Sequence, residues 1–170
     1  MTSVMEDFVL KSGDPAMPVG MKSKELKNTM TTEEACRFCK PSAERLMIMG
    51  EYGFATWDRH PVNEGHFLVI PHRHFADYFD INEIERNELW SLVEAGKKLA
   101  DERFAPDGYN IGINVGHYAG QSIHHLHIHV IPRYKGDVEN PKGGVRGVVP
   151  DRRHYSFDVP GVAGNTSPSE

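Results

Sequence analysis

The chain has little cysteine, no long apolar run and no excess of basic residues. Two cysteines in 170 residues rule out a disulfide-stapled scaffold. No apolar stretch approaches the ~20 residues that a membrane-spanning helix needs. The first residues, Met1 to Lys11, lack the basic and apolar segments of a secretory signal. We therefore expect no membrane partner and a cytoplasmic location. Nineteen Lys and Arg against 24 Asp and Glu leave a net charge of −5, which disfavours general nucleic-acid binding, since that rests on attraction between cations and phosphates. What is present is the 39% hydrophobic content of an ordinary globular chain, at a length that suits one domain of ~100–200 residues with room for tails.

Residues 1–30 carry Gly13, Pro15, Pro18 and Gly20 among scattered charges without a sustained period, and read as an N-terminal arm. Thr31 followed by Glu34 has capping-box spacing and predicts a short N-terminal helix carrying Cys36 and Cys39 toward Pro41. Leu46–Met49 and Phe54–Trp57 flank Gly50-Glu51-Tyr52-Gly53 as a β-hairpin, and His66–Ile70 before Pro71 has the composition of a strand buried on both faces. Ile84, Leu89, Leu92, Val93, Leu99, Ala100 and Phe104 recur at helical spacing behind a cap supplied by Asn82 and Glu85. Two further strands, Tyr109–Val115 and Ile123–Pro132, are joined by a glycine-rich turn. The class is α+β, with a domain over 31–135. Ten Gly and Pro residues beyond Pro132 make 136–170 an irregular C-terminal extension.

Four of the ten histidines fall within six residues: His124, His125, His127 and His129. In a strand, His125, His127 and His129 share one face while Leu126, Ile128 and Val130 enter the core. Such a row of imidazoles can bind zinc or supply a nucleophile near neutral pH, or it can simply be a polar strand face. Gly116, Gly120, Gln121 and Ser122 just upstream offer close backbone approach, amide hydrogens and a hydroxyl to a phosphate, which a metal alone does not need. The Cys36-x-x-Cys39 pair points to metal, to redox chemistry or to buried thiols. Lys40-Pro41 directly after it argues against the helix that a thioredoxin-like site requires.

Gly120-Gln121-Ser122 followed by His125-Leu126-His127-Ile128-His129-Val130-Ile131 resembles the histidine triad (HIT) motif of nucleotide hydrolases and transferases. Asp58, Pro61 and Gly65-His66-Phe67-Leu68-Val69-Ile70-Pro71 resemble that family's ribose-binding hairpin and following strand, so the likeness runs from Cys36 to Arg133. It implies a HIT-like fold, in which the five strands read above form one antiparallel sheet with the long helix. It implies His127 as nucleophile, with His129 on the phosphate and Ser122 and Gln121 toward the leaving group. Asn114 and His66 would lie beside the phosphate and Asp58 would hold the ribose. A base pocket is mostly apolar, and Phe38, Leu46 and Trp57 are its candidates, with ordinary core packing as the alternative. The branch that carries the Cys pair implies a structural zinc on Cys36, Cys39, His74 and His125. The family is commonly homodimeric around the long helix, here Asn82 to Phe104, and a joined sheet.

Neither Trp57 nor Trp90 is C-terminal, unlike the phosphoramidate-cleaving branch, and Arg133, Lys142, Arg146, Arg152 and Arg153 follow the motif. These cations either hold a longer polyphosphate or form a solvated or dimer-covering tail. The resemblance therefore implies hydrolysis of dinucleoside polyphosphates at the α-phosphate through a nucleotidyl-histidine, with release of a nucleoside monophosphate. The alternatives are an adenosine phosphoramidate hydrolase, a nucleotide phosphorylase or transferase, and a nucleotide-binding regulatory module.

Overall fold

A computed structural model describes residues 36–153. The 1–30 arm, the Thr31/Glu34 cap and the end of the extension lie outside them. Within them, Cys36 to Cys39 form a turn closed by the Cys39 N–H on the Cys36 carbonyl (3.2 Å). Strands β1 (Leu46–Met49) and β2 (Gly53–Trp57) form the expected hairpin, closed by the Gly50 N–H on the Gly53 carbonyl (2.8 Å). Strand β3 (Phe67–Pro71) pairs with β2 on one side and with β5 (Ile128–Arg133) on the other, and β4 (Gly108–Ile113) closes the sheet. The order β1-β2-β3-β5-β4 is antiparallel throughout. All five residues of β3 are buried, as its unbroken apolar run predicts for a central strand.

The long helix α1 (Glu83–Phe104) starts at a complete capping box. The Asn82 side chain accepts the Glu85 N–H (2.9 Å), and the Glu85 carboxylate accepts the Asn82 N–H (3.3 Å) and two bonds from Arg73 (2.8 and 2.7 Å). It ends at Ala105, in the left-handed region, ahead of Pro106. Leu89, Leu92, Val93, Gly96 and Ala100 make the buried stripe, and it packs across β2 and β3. Gly96 is required by close approach, because a Cβ there would lie 2.5 Å from Phe67.

The sheet separates two apolar clusters. Ala55, Phe67, Val69, Ile128 and Val130 lie under the helix with Leu126, while Phe54, Leu68 and Ile70 face the other way with Phe38 and Leu46 against them. Period-2 alternation along β2, β3 and β5 produces this division, and the face away from the helix is the one that builds the site.

The last strand is shorter than its sequence pattern, starting at Ile128 rather than Ile123. Residues 123–127 bond outside the ladder: the Leu126 N–H donates to the Phe75 carbonyl (2.6 Å) and the His125 N–H to that of Ile123 (2.9 Å). The described part of the extension, residues 136–153, carries short 3-10 turns over Gly144–Val148 and Pro150–Arg152.

Candidate active site and metal centre

His125 is fully buried, and its Nε2–H donates to the Pro71 carbonyl (2.9 Å), leaving the Nδ1 lone pair free. That nitrogen lies 3.5 Å from Cys36 Sγ, 3.6 Å from Cys39 Sγ and 3.3 Å from His74 Nδ1, and Cys39 Sγ lies 3.3 Å from His74 Nδ1. All four ligating atoms fall within 4.8 Å of one another. Metal–sulfur bonds of ~2.3 Å and metal–nitrogen bonds of ~2.0–2.1 Å at tetrahedral angles give S···N edges of ~3.5 Å and N···N edges of ~3.3 Å. The cage has these dimensions, so the four residues fit a tetrahedral metal ion. The carbonyl behind His125 supplies the outer hydrogen bond that metal-ligating imidazoles use to fix tautomer and aim. Burial pushes the His125 imidazole down to about 4, which keeps it neutral, as a ligand must be.

Two residues on, His127 donates its Nδ1–H to the His125 carbonyl (2.8 Å), so Nε2 carries the free lone pair. Burial lowers its pKa, so the neutral form prevails at neutral pH. The His129 ring centroid is 4.8 Å from that of His127. On the other side of His129, strand pairing brings the His66 Nε2 to 3.1 Å from His129 Nδ1. The Val62 N–H donates to His66 Nδ1 (3.2 Å), so the His66 proton sits on Nε2 and is donated to His129. His129 then holds its own proton on Nε2. Burial, reinforced by His127 and His66, pushes His129 down to about 4, and burial also lowers His66 despite Asp58 Oδ2 at 3.6 Å. Three neutral imidazoles with assigned tautomers thus stand together, one presenting a lone pair and one a donor.

They open into a cleft of about 460 Å³ that also reaches Asp58, Asn114, Gly120 and Ser122. Its apolar wall is Phe38, Phe54, Leu68 and Ile70, with the Phe38 ring edge-on to His127 at 5.1 Å. Asp58 Oδ1 accepts the His60 N–H (2.8 Å).

Other residues singled out in the sequence are placed differently. Trp57 touches the cleft, but its indole packs edge-on against Phe67 and Phe104 on the helix side, because Trp57 has the same parity as Ala55. Leu46 packs against the cluster beneath the cleft. Gln121 is buried with both amide ends bonded to backbone, accepting the Gly116 N–H (2.9 Å) and donating to the Ala76 carbonyl (2.8 Å), and so pins the loop that presents Ser122. The cations after the motif are not among the cleft residues. Arg133 pairs with Asp137 (2.6 Å), Arg153 donates to the Lys142 and Asn140 carbonyls, and Arg146 donates to that of Arg152. Arg37, Arg45 and Arg59 line the cleft instead. The sequence reasoning missed them, although Arg59 directly follows Asp58.

The family model described as the HIT domain matches residues 41–136. An uncharacterised HIT-like protein of Methanocaldococcus jannaschii is 38% identical over 64% of this chain and 87% of its own. An AP-4-A phosphorylase of Mycobacterium tuberculosis is 35% identical over 54% of this chain and 48% of its own. A bis(5'-adenosyl)-triphosphatase of Dictyostelium discoideum is 39% identical over 56% of this chain and 64% of its own. The chain thus spans about half to two thirds of the length of these two named enzymes. Among solved structures, a Zn-bound histidine triad family protein of Mycobacterium smegmatis superposes with a TM-score of 0.57 at 30% identity, covering 64% of this chain and 81% of that one. Over more than half of its length this chain is a HIT domain, and it belongs to the HIT family.

Proposed function

We propose that the protein cleaves dinucleoside polyphosphates at the α-phosphate. His127 Nε2 attacks phosphorus, the P–N bond forms and the P–O bond to the remaining nucleoside polyphosphate breaks. Water then attacks the same phosphorus, the P–N bond breaks, a nucleoside monophosphate leaves and the water proton passes to solvent. The observation that carries this reading is a buried, neutral His127 whose Nδ1–H is held by the His125 carbonyl, so that its lone pair opens into the cleft. The His129 Nε2–H serves the non-bridging oxygens, Ser122 and Asn114 the phosphate end, and Asp58 the ribose hydroxyls. Gln121 contributes by holding its loop, and Trp57 by backing the base wall. The names of the two enzyme relatives support this substrate class. One of them also supports phosphorolysis, in which inorganic phosphate replaces water against the same intermediate.

The metal is zinc in a structural role. Cys36, Cys39, His74 and His125 would hold it, tying the 36–39 turn to the segment that carries His127. The domain runs over 31–135, between an arm and an extension. The protein is a cytoplasmic homodimer, supported by two cysteines that are not joined in a disulfide, as suits a reducing compartment, and by Ile84, Trp90 and Leu99 left exposed on α1. A monomer in light scattering would contradict the dimer.

The decisive experiment incubates diadenosine tetraphosphate and adenosine phosphoramidate separately with the wild type and with His127→Ala. Preferential cleavage of the dinucleotide to AMP is expected, falling by about a thousandfold or more in the variant with AMP still bound. Unchanged turnover in the variant would remove His127 as nucleophile.

A further inference from the structure

Beyond the triad, a polar knot joins the start of the extension to the loop between β2 and β3. Asp137 lies one residue past the segment matched by the family model. Its Oδ2 accepts from Asn63 Nδ2 (2.8 Å), Arg133 Nε (2.6 Å) and the Tyr134 N–H (3.1 Å), and its Oδ1 accepts from an Arg133 terminal nitrogen (2.7 Å). Asn63 also donates to the Pro132 carbonyl (3.0 Å), and the Tyr134 hydroxyl donates to the Glu64 carbonyl (2.9 Å). The Arg133 pair, aided by Tyr134 and Asn63, holds the Asp137 carboxyl well below the usual carboxylate range, so it is ionised at neutral pH.

The loop it grips has two outlets into the cleft. The His66 N–H donates to the Asn63 carbonyl (3.1 Å), and the Asp58 N–H donates to the His66 carbonyl (3.0 Å). Asn63 therefore ties by its side chain to Asp137 and by its backbone to the residue that orients both His129 and Asp58. We infer that the head of the extension is a latch on this loop, with Asp137 and Asn63 as positioning residues that set Asp58 for the substrate's ribose. This rests on the function proposed above only for the identity of the ligand.

The test uses the full chain, zinc-loaded, with AMP and 2'-deoxy-AMP in calorimetry and the corresponding dinucleotides in turnover. A well-placed carboxylate on a ribose hydroxyl favours the ribo ligand in the wild type by on the order of tenfold or more. Asn63→Ala, which leaves the Arg133–Asp137 pair intact, and Asp137→Ala should each reduce that preference to a fewfold. The effect should fall on Kd and KM for the ribo ligand more than on kcat, with zinc content unchanged. The double variant should be no worse than the poorer single one, since both open one latch. If thermal stability falls while the ribo preference stays at the wild-type value, the knot is merely structural and the inference is overturned. Should the wild type bind AMP without cleaving dinucleotides, the turnover proposal fails, and calorimetry still decides the latch.

Discussion

Gly96 in the middle of α1 sets two effects of opposite sign against each other. Replacing a helix-interior glycine with alanine ordinarily stabilises by ~1 kcal/mol, because the unfolded chain loses freedom and the helix gains propensity. Here the added Cβ would lie 2.5 and 2.7 Å from two ring carbons of Phe67. That ring cannot swing aside into solvent, being 0% exposed and packed edge-on against Trp57. The helix must lift from β3 or the ring must leave its rotamer, and such overpacking costs ~1–3 kcal/mol. With two ring atoms overlapped the upper half of that range applies, so Gly96→Ala should destabilise by a net ~1–2 kcal/mol, or roughly 2–8 °C in Tm at this chain length. Urea denaturation monitored through Trp57 and Trp90 fluorescence measures it. In a Phe67→Leu background the obstacle is smaller, and the same substitution should become neutral or stabilising. A more stable Gly96→Ala in the wild-type background would refute the reasoning, and with it the close helix–sheet contact at Phe67.

Other consequences are equally direct. Cys39→Ala should abolish stoichiometric zinc and lower stability by at least about 4 kcal/mol, the linkage expected for a site a thousandfold above its Kd. Full metal occupancy in the Cys36→Ala, Cys39→Ala double variant, measured by atomic absorption, would sink the metal assignment. His129 titrates at about 4 when folded and near its ordinary value of 6.5 when unfolded. As pH falls from 6.5 toward 4, the unfolded chain takes a proton that the folded chain refuses. Its contribution is intact above 6.5, is lost through this window and levels off below 4. Urea midpoints at pH 7.5, 5.5 and 4.5 should show a shallower loss for His129→Asn than for the wild type, and parallel curves would count against a neutral buried His129. Glu85 and Asp137, whose folded pKa values are lowered by their arginine partners, begin to lose their contribution as pH falls through their unfolded values of 4.5 and 3.8, and this loss is common to wild type and variant, so it cancels in the comparison.

Local patterns in the chain were informative wherever one element sufficed. Asn82 and Glu85 signal the helix start because a capping box closes within four residues, and the structure contains it. Pro106 and the preceding left-handed Ala105 end the same helix. Alternation from His125 to Val130 assigns imidazoles to one side and aliphatics to the other, and Leu126, Ile128 and Val130 do lie in the core under α1. The period survives although the regular ladder begins only at Ile128, because an extended backbone alternates its side chains with or without a partner strand. Trp57 illustrates the limit. An aromatic at the edge of a nucleotide cleft reads as a base contact, but its register with Phe67 turns the indole toward the helix.

The sequence by itself determined the residue chemistry and its parity: three imidazoles on one face, a thiol pair with metal spacing, and a glycine-bordered loop ahead of them. Only the tertiary structure decided which distant groups complete each site. Cys36 meets His125 across 89 positions because the 36–39 turn lies against the segment just ahead of β5. His66 meets His129 across 63 positions because β3 and β5 are neighbours in the sheet. Arg133 is bound to Asp137, while Arg37, Arg45 and Arg59 line the cleft. Side-chain parity is set by backbone geometry over two residues, whereas such pairings depend on sheet order and helix packing, which no local window of sequence contains.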